Sequence, residues 1–203
     1  MPAARESLLD AAYTALVYRP WSAVRMVDVA AAAGVSRQTL YNEFGSKEGL
    51  ARALVRREID GYLTGVDHAL TVHGDPRDRL AATAEWTAAA ARRNALVRAM
   101  LTGCWSERLP SPALSPVRSG SAVPAQRRAD GPLPSPGDLV TLVRDRAVAV
   151  LTGPGVPGAA DTAELTRACE LVVRLALSCV AAPPAEGGVA DLVRAALHHQ
   201  PVP

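Results

Sequence analysis

Arg37, Gln38, Tyr41 and Asn42 are the side chains of this chain whose types and spacing best define a chemistry. Steps of one and four residues align them along one face of a helix, with Thr39 at its edge. Arginine matches the paired acceptors of guanine, and glutamine the donor and acceptor of adenine, so Arg37 and Gln38 suit base edges in a major groove. Thr39, Tyr41 and Lys47 offer hydroxyl and ammonium groups suited to phosphates, which set register rather than sequence, and Ser36 at the start of the helix is counted with the DNA-binding residues. Arg25 lies upstream, where it either reaches a phosphate or is solvated.

Other chemistries find no comparable cluster. The chain contains no HExxH, no nucleophile elbow and no carboxylate pair in a distinctive context. His198 and His199 are neighbours and would point about 100° apart on a helix, and His68 and His73 are too far apart in sequence to argue a site. Cys104, Cys169 and Cys179 form no CxxC pair, and their odd number argues against a disulfide framework. In alanine-rich helices such cysteines are small core residues, and none has an activating neighbour that would suit it to redox sensing. The run from Gly153 to Gly158 mimics a phosphate loop. No Gly-Lys-Ser/Thr follows it and no strand precedes it, so it reads as a turn. No catalytic residue, metal or cofactor is expected.

The polar face needs a frame, and the stretch VDVAAAAGVSRQTLYNEFGSK from Val27 to Lys47 provides one. Val29, Ala30 and Ala33 fall on one side of a first helix, whose alanines allow close backbone approach. Gly34 sits at a sharp turn that suits positive φ. Val35 fills the angle, and Ser36 is placed to N-cap a second helix. Leu40 and Phe44, four apart, point inward, opposite the polar face, and Gly45 closes the helix. This is the pattern of a helix-turn-helix. An earlier amphipathic helix over Ala3–Tyr18, with Leu8, Leu9, Ala12, Ala15 and Leu16 as its stripe, completes a three-helix head. Trp21 is expected to pack beneath that head.

The residues Val29-Ala30, Ala33-Gly34-Val35-Ser36, Thr39-Leu40-Tyr41, Phe44 and Ser46-Lys47-Glu48-Gly49-Leu50 resemble the signature of the TetR/AcrR family of transcriptional regulators. The resemblance covers about the first quarter of the chain, and beyond it only the architecture is alike. It implies a dimer that binds an operator, a small-molecule effector in a helical body, and a phosphate contact for Lys47. It further implies that the effector wedges the body helices, tilts the fourth helix and changes the spacing of two heads. Arg25 and Gln38 depart from the smaller residues common in the family, so the operator sequence does not carry over.

Beyond the head, a fourth helix is expected from a Ser46 cap to about Val72, with Gly61 and Gly65 marking a bend. Asp75-Pro76 reads as a cap and first turn. A helix follows to Arg92-Arg93-Asn94, then another through Cys104 to Trp105. Residues Leu109 to Gly137 are rich in Pro, Ser and Gly and read as a mobile surface loop, with a lid that orders on ligand binding as the alternative. Helix resumes after an Asp138 cap. The last two helices, about Asp161–Ala181 and Glu186–His199, carry so many apolar residues that a homodimer through them is expected. Trp86, Met100, Trp105 and Arg174 are the bulky or polar residues nominated to meet an effector.

The composition permits all this. Of 203 residues 49% are apolar, enough for a sizeable core, and the formal net charge is only +2, so any nucleic-acid face must be local. The start lacks a signal-peptide h-region and no apolar run reaches membrane-spanning length, which points to a reducing cytosol and no membrane partner. The expected fold is all-α: a helix-turn-helix head over residues 1–48 and a helical ligand-binding and dimerisation body over 49–203. The expected function is a ligand-responsive repressor of a palindromic operator on double-stranded DNA. A ligand-independent activator or nucleoid-type protein is the alternative, and a helical-bundle enzyme a more distant one.

Overall fold

The structure is a computed structural model that describes residues 2–72, 74–110, 133–152 and 159–198. The described residues form nine α-helices and one short 3-10 turn, without a strand. They fall into two compact units. The first comprises Met1–Ile59 and the stretch that begins at Trp105; the second comprises Asp60–Cys104 and the stretch that begins at Pro134. The division between these two units lies inside the fourth helix.

In the first unit, α1 (Pro2–Tyr18), the 3-10 turn (Trp21–Ala23), α2 (Met26–Ala32), α3 (Arg37–Phe44) and the opening of α4 (Lys47–Val72) enclose a small core. Leu8, Val29, Leu40, Leu50 and Leu54 are almost wholly buried there, whereas Leu16 is only half-buried. α1 begins one residue before the expected Ala3, with proline in its first turn. Ser46 caps α4 as its spacing predicts, its Oγ accepting from the Gly49 N–H at 3.1 Å. Trp21 is buried, and its backbone N–H donates to the Arg108 carbonyl at 2.8 Å. That bond ties the Trp105 stretch to the head, a link between segments too distant in sequence for any local pattern to announce.

In the second unit, α5 (Pro76–Arg93) packs against α6 (Ala95–Thr102), α8 (Ala159–Ala181) and α9 (Val189–Leu197), while α7 (Pro136–Leu151) lies on α6 and α8. Asp75 caps α5 by accepting the Arg77 N–H at 2.7 Å, with Pro76 at the first helical position. α5 can sit so deep because its inner face is Leu80, Ala81, Thr83, Ala84, Thr87, Ala88 and Ala91, all small save one.

Several boundaries differ from the sequence reading. α6 stops at Thr102 because Gly103 takes the left-handed conformation (φ 73°), so exposed Cys104 and half-buried Trp105 are on no helix. α7 is capped by Ser135, not Asp138. Asp138 sits at N3 and returns the bond, accepting the Ser135 N–H at 2.8 Å in a capping box. α9 starts at Val189 rather than Glu186, after Gly187 at φ 73°, and ends at Leu197. Most of the expected loop (residues 111–132), the 153–158 turn, His73 and His199 lie outside the described residues.

Candidate nucleic-acid interface

α2 and α3 meet through a turn made possible by Gly34, whose φ of 68° is costly for any residue with a Cβ. The Val35 N–H closes the turn by donating to the Ala30 carbonyl at 3.0 Å. Ser36 then caps α3, its Oγ accepting the Thr39 N–H at 3.0 Å and lying 2.9 Å from the Thr39 hydroxyl. Leu40 and Phe44 turn inward, and Arg5 of α1 lies over the Phe44 ring at 4.7 Å while approaching Glu43 at 3.6 Å. With α3 pinned on that side, Arg37, Gln38, Tyr41 and Asn42 are all exposed on the other.

The exposed groups are arranged rather than loose. The Gln38 amide donates to Asn42 Oδ1 at 2.8 Å, one turn apart, which restrains the glutamine that would read a base. Tyr41 is 41% exposed, unusually open for a large ring. Lys47 Nζ donates to the Ser22 carbonyl at 3.2 Å and lies 5.5 Å from the Trp21 ring centroid. The ammonium is therefore held beside the 3-10 turn by a hydrogen bond and a cation–π contact, and is not a fully solvated surface lysine.

Arg25 is exposed and ion-paired. Its Nε and Nη2 form a fork on Asp28, at 3.0 and 2.9 Å, and Arg19 Nη1 reaches the same carboxylate at 3.3 Å. The Arg25 hydrogen bonds hold the Asp28 carboxyl below the usual carboxylate range. Sequence reasoning missed Arg19 and Asp28; an acid three residues after an arginine at a helix start was the available signal.

The four residues nominated for an effector are divided between the two units. Met100 is buried in the second unit, Trp86 is half-buried there, and Arg174 is exposed on α8 with its Nη2 2.7 Å from Glu170. Trp105 belongs to the first unit and to no helix. The notable buried polar groups of the body are others: Tyr62 Oη lies 3.1 Å from Thr87 Oγ1, which in turn donates to the Thr83 carbonyl at 2.9 Å. Burial pushes the Tyr62 hydroxyl pKa up to about 12, so it stays protonated. Burial does the same to the Cys169 thiol, also at about 12, which leaves it inert as a nucleophile. Among the described residues no three His, Cys, Asp or Glu gather where a metal would bind, and no helix is long and apolar enough to cross a membrane.

A capped recognition helix with an apolar back and an exposed hydrogen-bonding front, on a chain that is otherwise a helical bundle, defines a helix-turn-helix protein. Residues 8–54 match the family described as bacterial regulatory proteins, tetR family. Over 66 residues it is 50% identical to the HTH-type transcriptional regulator AlkX of Mycobacterium tuberculosis, covering 32% of this chain and 31% of that protein. Over 81 residues it is 41% identical to the HTH-type transcriptional activator FasR of Mycolicibacterium smegmatis, covering 40% and 37%. Each match spans well under two thirds of the relative's own length. In fold, the chain is similar to the TetR family repressor AlkX from Dietzia sp., with a TM-score of 0.53 and 23% identity over 96% of this chain and 91% of that one. A TetR/AcrR regulator from Thermobifida fusca gives 0.57 at 18% identity over 96% of both chains.

Proposed function

We propose that the chain is a dimeric transcriptional repressor that lays α3 in the major groove of a palindromic operator and answers to a small-molecule effector bound in its body. The observation that carries this is the exposed front of α3, set by the buried Leu40 and Phe44 behind it and lying within the tetR-family match. Arg37 and Gln38 read base edges; Ser36, Thr39, Tyr41, Lys47 and Arg25 address the backbone, and Asn42 steadies Gln38. The head serves DNA, and the helices beyond residue 48 serve the effector and the partner copy, in the cytosol. The effector must bind the two head spacings with different affinity, or it shifts nothing. The activator relative keeps the opposite sign of regulation alive as a second reading.

The dimer is assigned to α8 and α9. Most apolar residues of α8 are used inside one copy: Leu165, Ala168, Cys169, Val172, Val173, Ala176 and Cys179 are all buried. What remains outward is narrower than the sequence suggests, namely Leu171 at 37% and Leu192 at 41% exposure. Arg167, Arg174 and Ser178 accompany Leu171 on the outer row of α8. Joint substitution Leu171→Arg and Leu192→Arg is expected to convert a dimer to a monomer in sedimentation velocity and to weaken palindrome binding by more than tenfold. An unchanged dimer would move the interface elsewhere.

The function itself is tested by fluorescence anisotropy on DNA from upstream of the chain's own coding region, at two salt concentrations. Saturable binding to one palindrome, lost in the Tyr41→Ala, Lys47→Ala double variant, is the expected result. Equally weak binding to all DNA would overturn it.

A further inference from the structure

α4 is one continuous helix whose residues Lys47–Ile59 belong to the head and Asp60–Val72 to the body. Within the body part, Gly65 carries no side chain, and the Trp86 indole of α5 occupies the space where one would stand. A Cβ built on Gly65 would overlap Cζ2 and Cε2 of the ring and lie 2.6 Å from its Nε1. The indole N–H is also spent on α4, donating to the Tyr62 carbonyl at 3.1 Å. The next residue of α5, Thr87, meets the Tyr62 hydroxyl, and Arg93, two turns further along, lies over the indole at 5.2 Å from its centroid. By contrast Gly61, one turn earlier on α4, has nothing within 4 Å of its Cβ position, so a small residue there answers no packing need.

We infer that Trp86 is a positioning residue for DNA binding: seated on Gly65, its ring fixes the body part of the helix that leads into the head. This rests on reading the chain as a DNA-binding regulator. A glycine in a helix interior costs stability, so its use at this point is the condition for the ring to come this close. A helix held by a rigid ring and a hydrogen bond at one turn is ordered before DNA arrives. Releasing it transfers that ordering cost to the binding step and weakens the complex. An effector that competes for the half-buried indole would act on the same seat.

Three variants of the full chain test this: Gly65→Ala, which evicts the ring; Trp86→Leu, which removes it; and the two combined. The probe is the duplex that the wild type enriches from a random-sequence pool, and amide hydrogen exchange of residues 60–72 is followed in parallel. Each single variant is expected to bind the duplex about fivefold more weakly and to exchange faster in α4. The combined variant should be no worse than either single one, because a seat is lost only once. Val143→Ala, a buried truncation on α7, should lower thermal stability without moving the affinity. Unchanged α4 exchange in both single variants, multiplicative losses, or an equal loss in Val143→Ala would each overturn the inference. Should Gly65→Ala fail to fold, Trp86→Leu decides alone against the Val143→Ala control. Faster exchange in a chain whose wild type enriches no duplex would uphold the seat but overturn both the regulator and the coupling.

Discussion

Leu40→Ala is expected to abolish DNA binding without touching a single group that faces DNA. The side chain is fully buried on the inner face of α3, and truncating a leucine in such a place costs about 2–5 kcal/mol. A small head has little stability to lose, since domains of this size bury a smaller share of their surface than large ones. The loss should appear in urea as an early transition of the head, with the body unfolding near its original midpoint. Tyr41→Ala is the counterpart: 41% exposed, it should shift stability by no more than about 0.5 kcal/mol while still weakening DNA binding. If Leu40→Ala bound DNA as the wild type does, the inner face of α3 would not be what presents the outer one.

The features of the head that were legible in the sequence are those that depend on neighbours within a turn. Gly34 at positive φ, Ser36 on the Thr39 N–H, and inward Leu40 and Phe44 each follow from residue type and a spacing of three or four. The same logic misplaced the cap of α7, for Ser135 and Asp138 are both good cap formers three apart and bond to each other. Proline at 136 decides between them, because it is at ease in the first helical turn. The end of α6 was hidden for another reason: the apolar pattern runs on through Cys104, and only the backbone of Gly103 interrupts it.

What the sequence could not disclose was pairing across distance. The outward face of α3 was readable; that Lys47 would rest on Ser22 and Trp21, or Trp21 on Arg108, was not. Gly65 read as a weakness in α4 until Trp86 was seen to need the space. Apolar periodicity likewise suggested a wide sticky face on α8, yet one copy's own α5, α6, α7 and α9 consume most of it. Periodicity reports that a side chain is buried, not which neighbour buries it.

Lys47→Ala and Gln38→Ala are expected to damage DNA binding in different ways, and the difference tests how labour is divided on the head. A lysine that neutralises one phosphate releases about one counterion, so its loss should lower affinity for every sequence and reduce the salt slope by about 0.9 per head, or about 1.8 for the two heads of the proposed dimer. Lys47 need give up only one hydrogen bond, to the Ser22 carbonyl, to reach a phosphate. Gln38 carries no charge, so its removal should leave the salt slope intact and change the preference at one base pair by about 1–3 kcal/mol. Freed from Gln38, the Asn42 carbonyl oxygen also loses its 2.8 Å donor, so Asn42→Ala should repeat part of the Gln38 effect. Titrations of a duplex series at several salt concentrations separate the two outcomes. Uniform loss in both variants, with equal salt slopes, would mean that Gln38 touches the backbone and that base reading falls to Arg37 alone.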